Sequence, residues 1–195
     1  LPPLYTAEEA EKCLEIFKPV EYDTIVDVAD NIQVRYNDAG HMLGSSIIEI
    51  WVTENGKTEK IVFTGDLGNN DIPLLDSPTM IEDADYLVME STYGSRLHMR
   101  NDDKAKIFLD VVSETLDHGG RVVIPSFAVG RTQEILYEID KIKDSHKDDE
   151  EFQRKYQQLM KTPVFVDSPL AISATEVFKK NTDLFEEEVQ EKLRH

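Results

Sequence analysis

The sequence predicts an α/β chain in which hairpins come first and strand–helix alternation follows, and three observations carry that expectation. Ile32, Val34 and Tyr36 alternate with polar neighbours, as do Ile48, Ile50 and Val52, which is the period-two pattern of half-buried strands. Glu54-Asn55-Gly56-Lys57 is a type I′ hairpin signal leading into Lys60 to Phe63. From Val122-Val123-Ile124-Pro125 onward the grammar becomes strand, tight turn (Ser126 to Gly130) and helix (Arg131 to Ile142). The change falls near 95–100 and divides the chain into 1–97 and 98–195.

Taken in order, Thr6-Ala7-Glu8-Glu9 is a capping box that opens an amphipathic helix over about 6–18, closed by Pro19. An extended stretch from Val20 to Val28 leads into the alternating strand that ends just before His41. Ala84 to Met89 reads as a buried strand ending at Glu90. Asp102 caps a helix whose inner face is Ile107, Phe108, Val111, Val112 and Leu116, and Gly119-Gly120 end it. After a charged connector (Lys143 to Glu151) come a short helix with Phe152, Tyr156 and Leu159, and a strand over Pro163 to Val166. The turn Asp167-Ser168-Pro169 and helices over 172–180 and 184–193 complete the chain; Glu186-Glu187-Glu188 reads as a solvated face.

Composition narrows the function classes. With 195 residues and 40% hydrophobic content the chain can bury a core, and no run approaches the roughly 18 apolar residues of a membrane span. A net charge of −18, from 39 acidic against 21 basic residues, repels polyphosphate, so any nucleic-acid contact must be local. Cys13 is the only cysteine, which excludes an internal disulfide or a thiolate zinc site and makes a reducing, cytoplasmic setting the expectation. The first residue is Leu1 rather than Met, and a piece of a longer protein is expected.

The chemistry gathers at strand ends. Ile61-Val62-Phe63-Thr64-Gly65-Asp66-Leu67-Gly68 is a strand that stops at an acid held between glycines, which serves either an Asx-type turn or a cation. His41 stands between Gly40 and Gly44 at the other end of the hairpin, so the two side chains can reach one site although far apart in sequence. His and Asp suit a divalent ion such as zinc, and a carboxylate can bridge two ions about 3.5–4 Å apart. Ligands of sheets packed on helices collect outside the carboxyl ends of strands, where Glu90, Ser126 and Arg131 also lie. Ser126 and the amides opening the Arg131 helix suit a phosphate oxygen; Arg131 either adds charge there or makes a surface ion pair. Asp167 and Ser168 serve either a substrate cleft or a turn.

Gly40-His41 with Gly44-Ser45, Thr64-Gly65-Asp66-Leu67-Gly68, Glu90-Ser91-Thr92-Tyr93-Gly94 with Arg96 and His98, Ile124-Pro125-Ser126-Phe127-Ala128-Val129-Gly130-Arg131 and Asp167-Ser168-Pro169 follow in that order. Together they resemble the β-CASP branch of the metallo-β-lactamase fold, a family of RNA-processing nucleases. The resemblance implies a partial αββα-type layer over 1–97 and the first part of an inserted α/β domain with a parallel sheet over 98–195. It implies that His41 is a zinc ligand, Asp66 the bridging aspartate, and Glu90 the catalytic-site acidic residue that opens the β-CASP region and orients a later histidine, the one that protonates the leaving group, unless Glu90 only caps the following turn. It implies two zinc ions and single-stranded RNA for the parent protein.

The departures are equally informative. The family's His-x-His-x-Asp-His run is absent, the five histidines (41, 98, 118, 146, 195) being far apart, and Ser95 stands where many relatives carry Asp. The expectation is the middle of a zinc-dependent ribonuclease, inactive alone and binding zinc weakly, with self-association unsurprising. A catalytically dead platform subunit and a lactamase-fold hydrolase of a small ester or thioester are the competing readings.

Overall fold

Five strands form one mixed sheet in the order β1-β2-β3-β4-β5. They are β1 (Val26–Ala29), β2 (Ile32–Asp38), β3 (Ser46–Glu54), β4 (Lys57–Phe63) and β5 (Tyr86–Val88). The computed structural model describes residues 3–69, 74–96, 104–185 and 189–190. The first four strands are antiparallel neighbours and β5 joins β4 in parallel. The hairpin register follows from Asn55 and Gly56, both at positive φ as a type I′ turn requires. It places Tyr36 opposite Ile48 and Ile48 opposite Phe63. The carboxyl ends of β2, β4 and β5 therefore meet at one end of the sheet.

Both faces of the sheet are partly covered, and the better covered one is not the one that alternation suggests. On the face carrying Ile48, Ile50 and Val52 these residues are half-buried and Val34 is buried, whereas Ile47, Glu49, Asn37 and Val62 on the other face are all buried. Ala39, Ile47 and Val62 form a core there, covered by Leu67 and Ile81. Beside it, Glu49 is fully buried and takes Arg35 Nε at 2.5 Å, Asn37 Nδ2 at 2.8 Å and Lys60 Nζ at 2.6 Å. Burial pushes the Glu49 carboxyl up, but hydrogen bonds from Arg35, Lys60 and Asn37 outweigh it and hold the group at about 2. Lys60 also donates to the Glu82 carbonyl at 2.6 Å, which fastens the loop leading to β5 across this face.

Helices surround the rest: α1 (Ala7–Leu14), α2 (Lys104–Asp117), α3 (Arg131–Ser145), α4 (Glu150–Lys155), α5 (Gln157–Lys161) and α6 (Pro169–Lys180), with a 3-10 turn at Thr182–Leu184. The capping box of α1 forms as expected, but the helix stops at Leu14 and buries no residue. α2 packs Phe108, Leu109, Val112 and Leu116 against Ile142, Tyr156 and Leu159, a single helical stripe. Ile107 and Val111, expected on the inner face, lie off that stripe and are exposed. α3 continues to Ser145, into the predicted connector, and Asp167-Ser168-Pro169 is a helix start in which Ser168 caps α6.

Three sequence expectations change. β5 is exposed along all three residues rather than buried, because it is the sheet edge and has β4 as its one neighbour. Val122 to Pro125 and Pro163 to Val166 form no β-ladder among the described residues, so the expected parallel sheet is not made there. A ladder needs backbones about 4.8 Å apart. A cleft of about 910 Å³ is instead lined by both stretches, and Val123 and Phe165 are 86% and 83% exposed. The Asp102 cap, His98 and most of the 184–193 helix lie outside the described residues.

Contacts join the sheet to the helices. Leu74 and Leu75 pack with Phe178, Phe185 and Val189, and Leu43 and Tyr137 close over them. Leu75 and Phe185 form a one-residue antiparallel bridge. At the start of α3, a Cβ on Gly130 would lie 4.0 Å from Met42 Cβ, so the helix begins beside the His41 loop.

Candidate functional site

Loops 39–45, 64–69 and 89–94 emerge at the same end of the sheet and carry His41, Asp66 and Glu90. Backbone contact locks the first two together. The Gly68 amide donates to the Ala39 carbonyl at 2.8 Å. Gly68 lies so close to the other loop that a Cβ on it would sit 1.7 Å from the Gly40 carbonyl oxygen and 2.9 Å from the His41 nitrogen. Gly40 is itself constrained: its φ is +59°, and a Cβ there would meet Asp76 and Pro78 backbone atoms at 2.7 and 2.8 Å. The close approach of the loops that carry His41 and Asp66 is thus set by two glycines.

Each loop has its own brace. Ser45 Oγ accepts the His41 and Met42 amides, both at 3.2 Å, and folds 41–45 into a tight turn. Asp38 Oδ1 accepts the Gly40 amide at 2.7 Å; burial and the nearby Asp76 charge still push the Asp38 carboxyl above its ordinary range. Thr64 donates its amide to Val88 at 3.0 Å, and its Oγ1 accepts the Glu90 amide at 3.3 Å. Glu90 Oε1 accepts the Leu67 amide at 2.6 Å, one residue past Asp66. The Leu67 hydrogen bond, then the Thr92 side chain and the charge of His41, hold the Glu90 carboxyl below its usual value against a smaller opposing effect of burial. His41 is half-buried and Asp66 exposed, so both are open to a ligand at the sheet end.

Imidazole and carboxylate donors on two loops joined at Gly68 and Ala39 are of the types that suit a zinc ion, and to that extent these residues fit one. They supply part of a coordination sphere: among the described residues no group of three His, Cys, Asp or Glu side chains converges.

The remaining residues divide. Ser126, Asp167 and Ser168 line the 910 Å³ cleft together with Thr132. Ser126 Oγ lies 2.8 Å from Thr132 Oγ1, which donates to the Phe127 carbonyl at 2.7 Å. Ser168 Oγ accepts the Ala171 amide at 3.2 Å as a cap, while Asp167 is exposed. Arg131 does not line the cleft and pairs with Glu134 at 2.6 Å across one helical turn, the surface ion pair among its two readings. Gln133 went unnoticed in the sequence although it is buried and ties α3 to α6, donating to Ala128, Ala171 and Thr175. A Gln at the third position of a helix carries no pattern that separates a buried brace from a surface residue.

Known proteins resolve what the geometry leaves general. The Beta-Casp domain family matches residues 132–195. A ribonuclease of Thermus thermophilus is 32% identical over 188 residues, covering 96% of this chain and 39% of its own length. An RNase J-like protein of Methanocaldococcus jannaschii is 34% identical over 177 residues, 89% of this chain and 38% of its own. An endoribonuclease of Eremothecium gossypii is 30% identical over 201 residues, 98% of this chain and 23% of its own. The chain belongs to the β-CASP family. It spans about two fifths or less of the length of these relatives. The matched β-CASP domain begins at α3, so His41, Asp66 and Glu90 precede it, while the alignment with the first ribonuclease takes in all three.

Proposed function

We propose that this chain is the central part of a zinc-dependent ribonuclease that hydrolyses phosphodiester bonds of single-stranded RNA at a two-metal site. The observation that carries the reading is the backbone lock between the His41 and Asp66 loops, with Glu90 closing the Asp66 turn. The ribonuclease names of the aligned relatives support it. On this reading residues 1–97 form part of an αββα-type lactamase layer and 98–195 the first part of the β-CASP domain. The setting is cytoplasmic, without a membrane, and self-association is compatible.

His41 and Asp66 are the residues of this chain that would hold zinc. Bound zinc would polarise the phosphate and make water a nucleophile near neutral pH. This chain's residues orient that chemistry. Ser45 fixes the turn presenting the His41 imidazole, and the Gly68–Ala39 hydrogen bond sets the spacing of the two ligand loops. Ser126, Asp167 and Ser168, in the 910 Å³ cleft, are the proposed contacts for RNA, with Arg131 supplying charge once released from Glu134. With a net charge of −18 the chain must hold RNA through such local groups.

The test compares the 195-residue chain with a protein of the relatives' length that contains it, for zinc content and for cleavage of labelled RNA beside a thioester. The longer protein is expected to hold about two zinc ions and cut RNA, and the chain alone to hold zinc weakly and be inactive. A longer protein that stays metal-free sinks the proposal in favour of a platform role, and one that cleaves only the thioester sinks it in favour of a small-molecule hydrolase.

A further inference from the structure

The Glu90 carboxylate faces a backbone amide of the ligand loop, a contact separate from any proton-handling part it has in catalysis. Its Oε1 accepts the Leu67 amide at 2.6 Å, across 23 positions of sequence, and Leu67 directly follows Asp66. Its own amide is anchored on Thr64 Oγ1 at 3.3 Å, and the Thr64 amide is held by Val88 at 3.0 Å. Glu90 thus sits at the end of β5 with its backbone and side chain both bonded to the turn that presents Asp66. Gly65, at φ +57°, lets that turn bend sharply; the Gly68–Ala39 hydrogen bond fixes its far end, and the Leu67 amide that Glu90 takes is the one directly beside the exposed Asp66.

We propose that Glu90 is a positioning residue for Asp66: its carboxylate clamps the 64–68 turn through the Leu67 amide and fixes where the Asp66 carboxylate stands. A hydrogen bond from an amide to an ionised carboxylate is about twice as strong as a neutral one, which suits a clamp on an exposed loop. Outer partners of metal-holding groups commonly set affinity by 10- to 100-fold. The proposal rests on the zinc reading only for its second consequence, the effect on metal affinity. The first, the order of the 64–68 turn, stands without any metal.

Glu90→Ala removes the acceptor, whereas Glu90→Gln keeps an oxygen able to accept the Leu67 amide and removes the charge. Hydrogen–deuterium exchange of the 195-residue chain is expected to show faster exchange across 64–68 in Glu90→Ala, with Glu90→Gln, whose oxygen makes the weaker neutral bond, between it and the unmodified chain. In the longer protein, zinc affinity is expected to fall at least tenfold in Glu90→Ala and less than about threefold in Glu90→Gln. A residue that acts only in proton transfer gives another pattern: both variants lose turnover, and both keep the exchange and the zinc of the unmodified protein. Unaltered exchange at 64–68 in a natively folded Glu90→Ala overturns the clamp, as does equal loosening in both variants. If the unmodified longer protein holds no zinc, the metal reading fails while the exchange result still decides the role of Glu90.

Discussion

Replacing Glu49 by Ala is expected to destabilise the chain by about 3–5 kcal/mol, the range for breaking a buried ion pair from one side. The loss is large against the roughly 5–15 kcal/mol that holds a typical domain. Lys60 is 14% and Arg35 32% exposed, so Arg35 can turn toward water while Lys60, tied to the Glu82 carbonyl, is left charged and partly buried. Trp51 has Arg35 and Lys60 at 5.4 and 5.5 Å from its ring centre, so it loses an ordered neighbour on each side. Chemical denaturation of the purified chain measures this directly. Because unpaired charge is the cause, combining Glu49→Leu with Arg35→Met and Lys60→Met is expected to recover much of the loss. A triple variant no more stable than Glu49→Ala counts against it.

The same group sets a pH signature. Its carboxyl stands at about 2 in the folded chain against 4.5 for the free side chain. A depressed folded value means the contribution is fully present above about 4.5 and is lost as pH falls from there toward 2; it amounts to about 3 kcal/mol. Other carboxylates also titrate in that window, so the informative quantity is the gap between the unmodified chain and Glu49→Gln. That gap is expected to be largest at pH 7 and to close by pH 2–3. Parallel stability profiles for the two proteins over this range would falsify the assignment.

What the sequence made legible is tied to local pattern. Alternation and Asn55-Gly56 located β2, β3 and β4 and their register, and through the register the shared end of the sheet from which the His41 and Asp66 loops leave. The capping box of Thr6 and Glu9 located α1. Interactions between distant positions were not legible. Arg35, Glu49 and Lys60 lie one on each of three strands, and each read in its own strand is an ordinary solvated charge; pairing brings them to one face, and the loop from Leu74 to Asp85 covers it. The strand character of Val122 to Pro125 is present in its residues, yet pairing is a property of two backbones, and here a cleft lies where the second would be. The role of Glu90 depends on an amide 23 positions away, which no local motif encodes.

Gly68→Ala is expected to separate the 39–45 and 64–69 loops, and it is the sharpest test of the site's construction. Its Cβ would lie 1.7 Å from the Gly40 oxygen, 2.2 Å from the Gly40 carbon and 2.9 Å from the His41 nitrogen, all of them backbone. No rotamer change relieves a backbone contact, so the loops must part and the Gly68–Ala39 hydrogen bond of 2.8 Å must break. Overpacking of this kind costs about 3 kcal/mol or more. Gly56→Ala supplies the control: nothing lies within 4 Å of that position, but its φ of +77° makes any side chain strained. It is expected to cost about 1–2 kcal/mol at the hairpin tip and leave the site alone. Hydrogen exchange should therefore rise across 39–45 and 64–69 together in Gly68→Ala, and only around 54–57 in Gly56→Ala. Under the zinc reading proposed above, metal affinity of the longer protein should fall more than tenfold in the first variant and hold in the second. If Gly68→Ala leaves exchange at 39–45 unchanged, the two loops are held together by something other than the glycine contact, and His41 and Asp66 lose the physical reason for being neighbours.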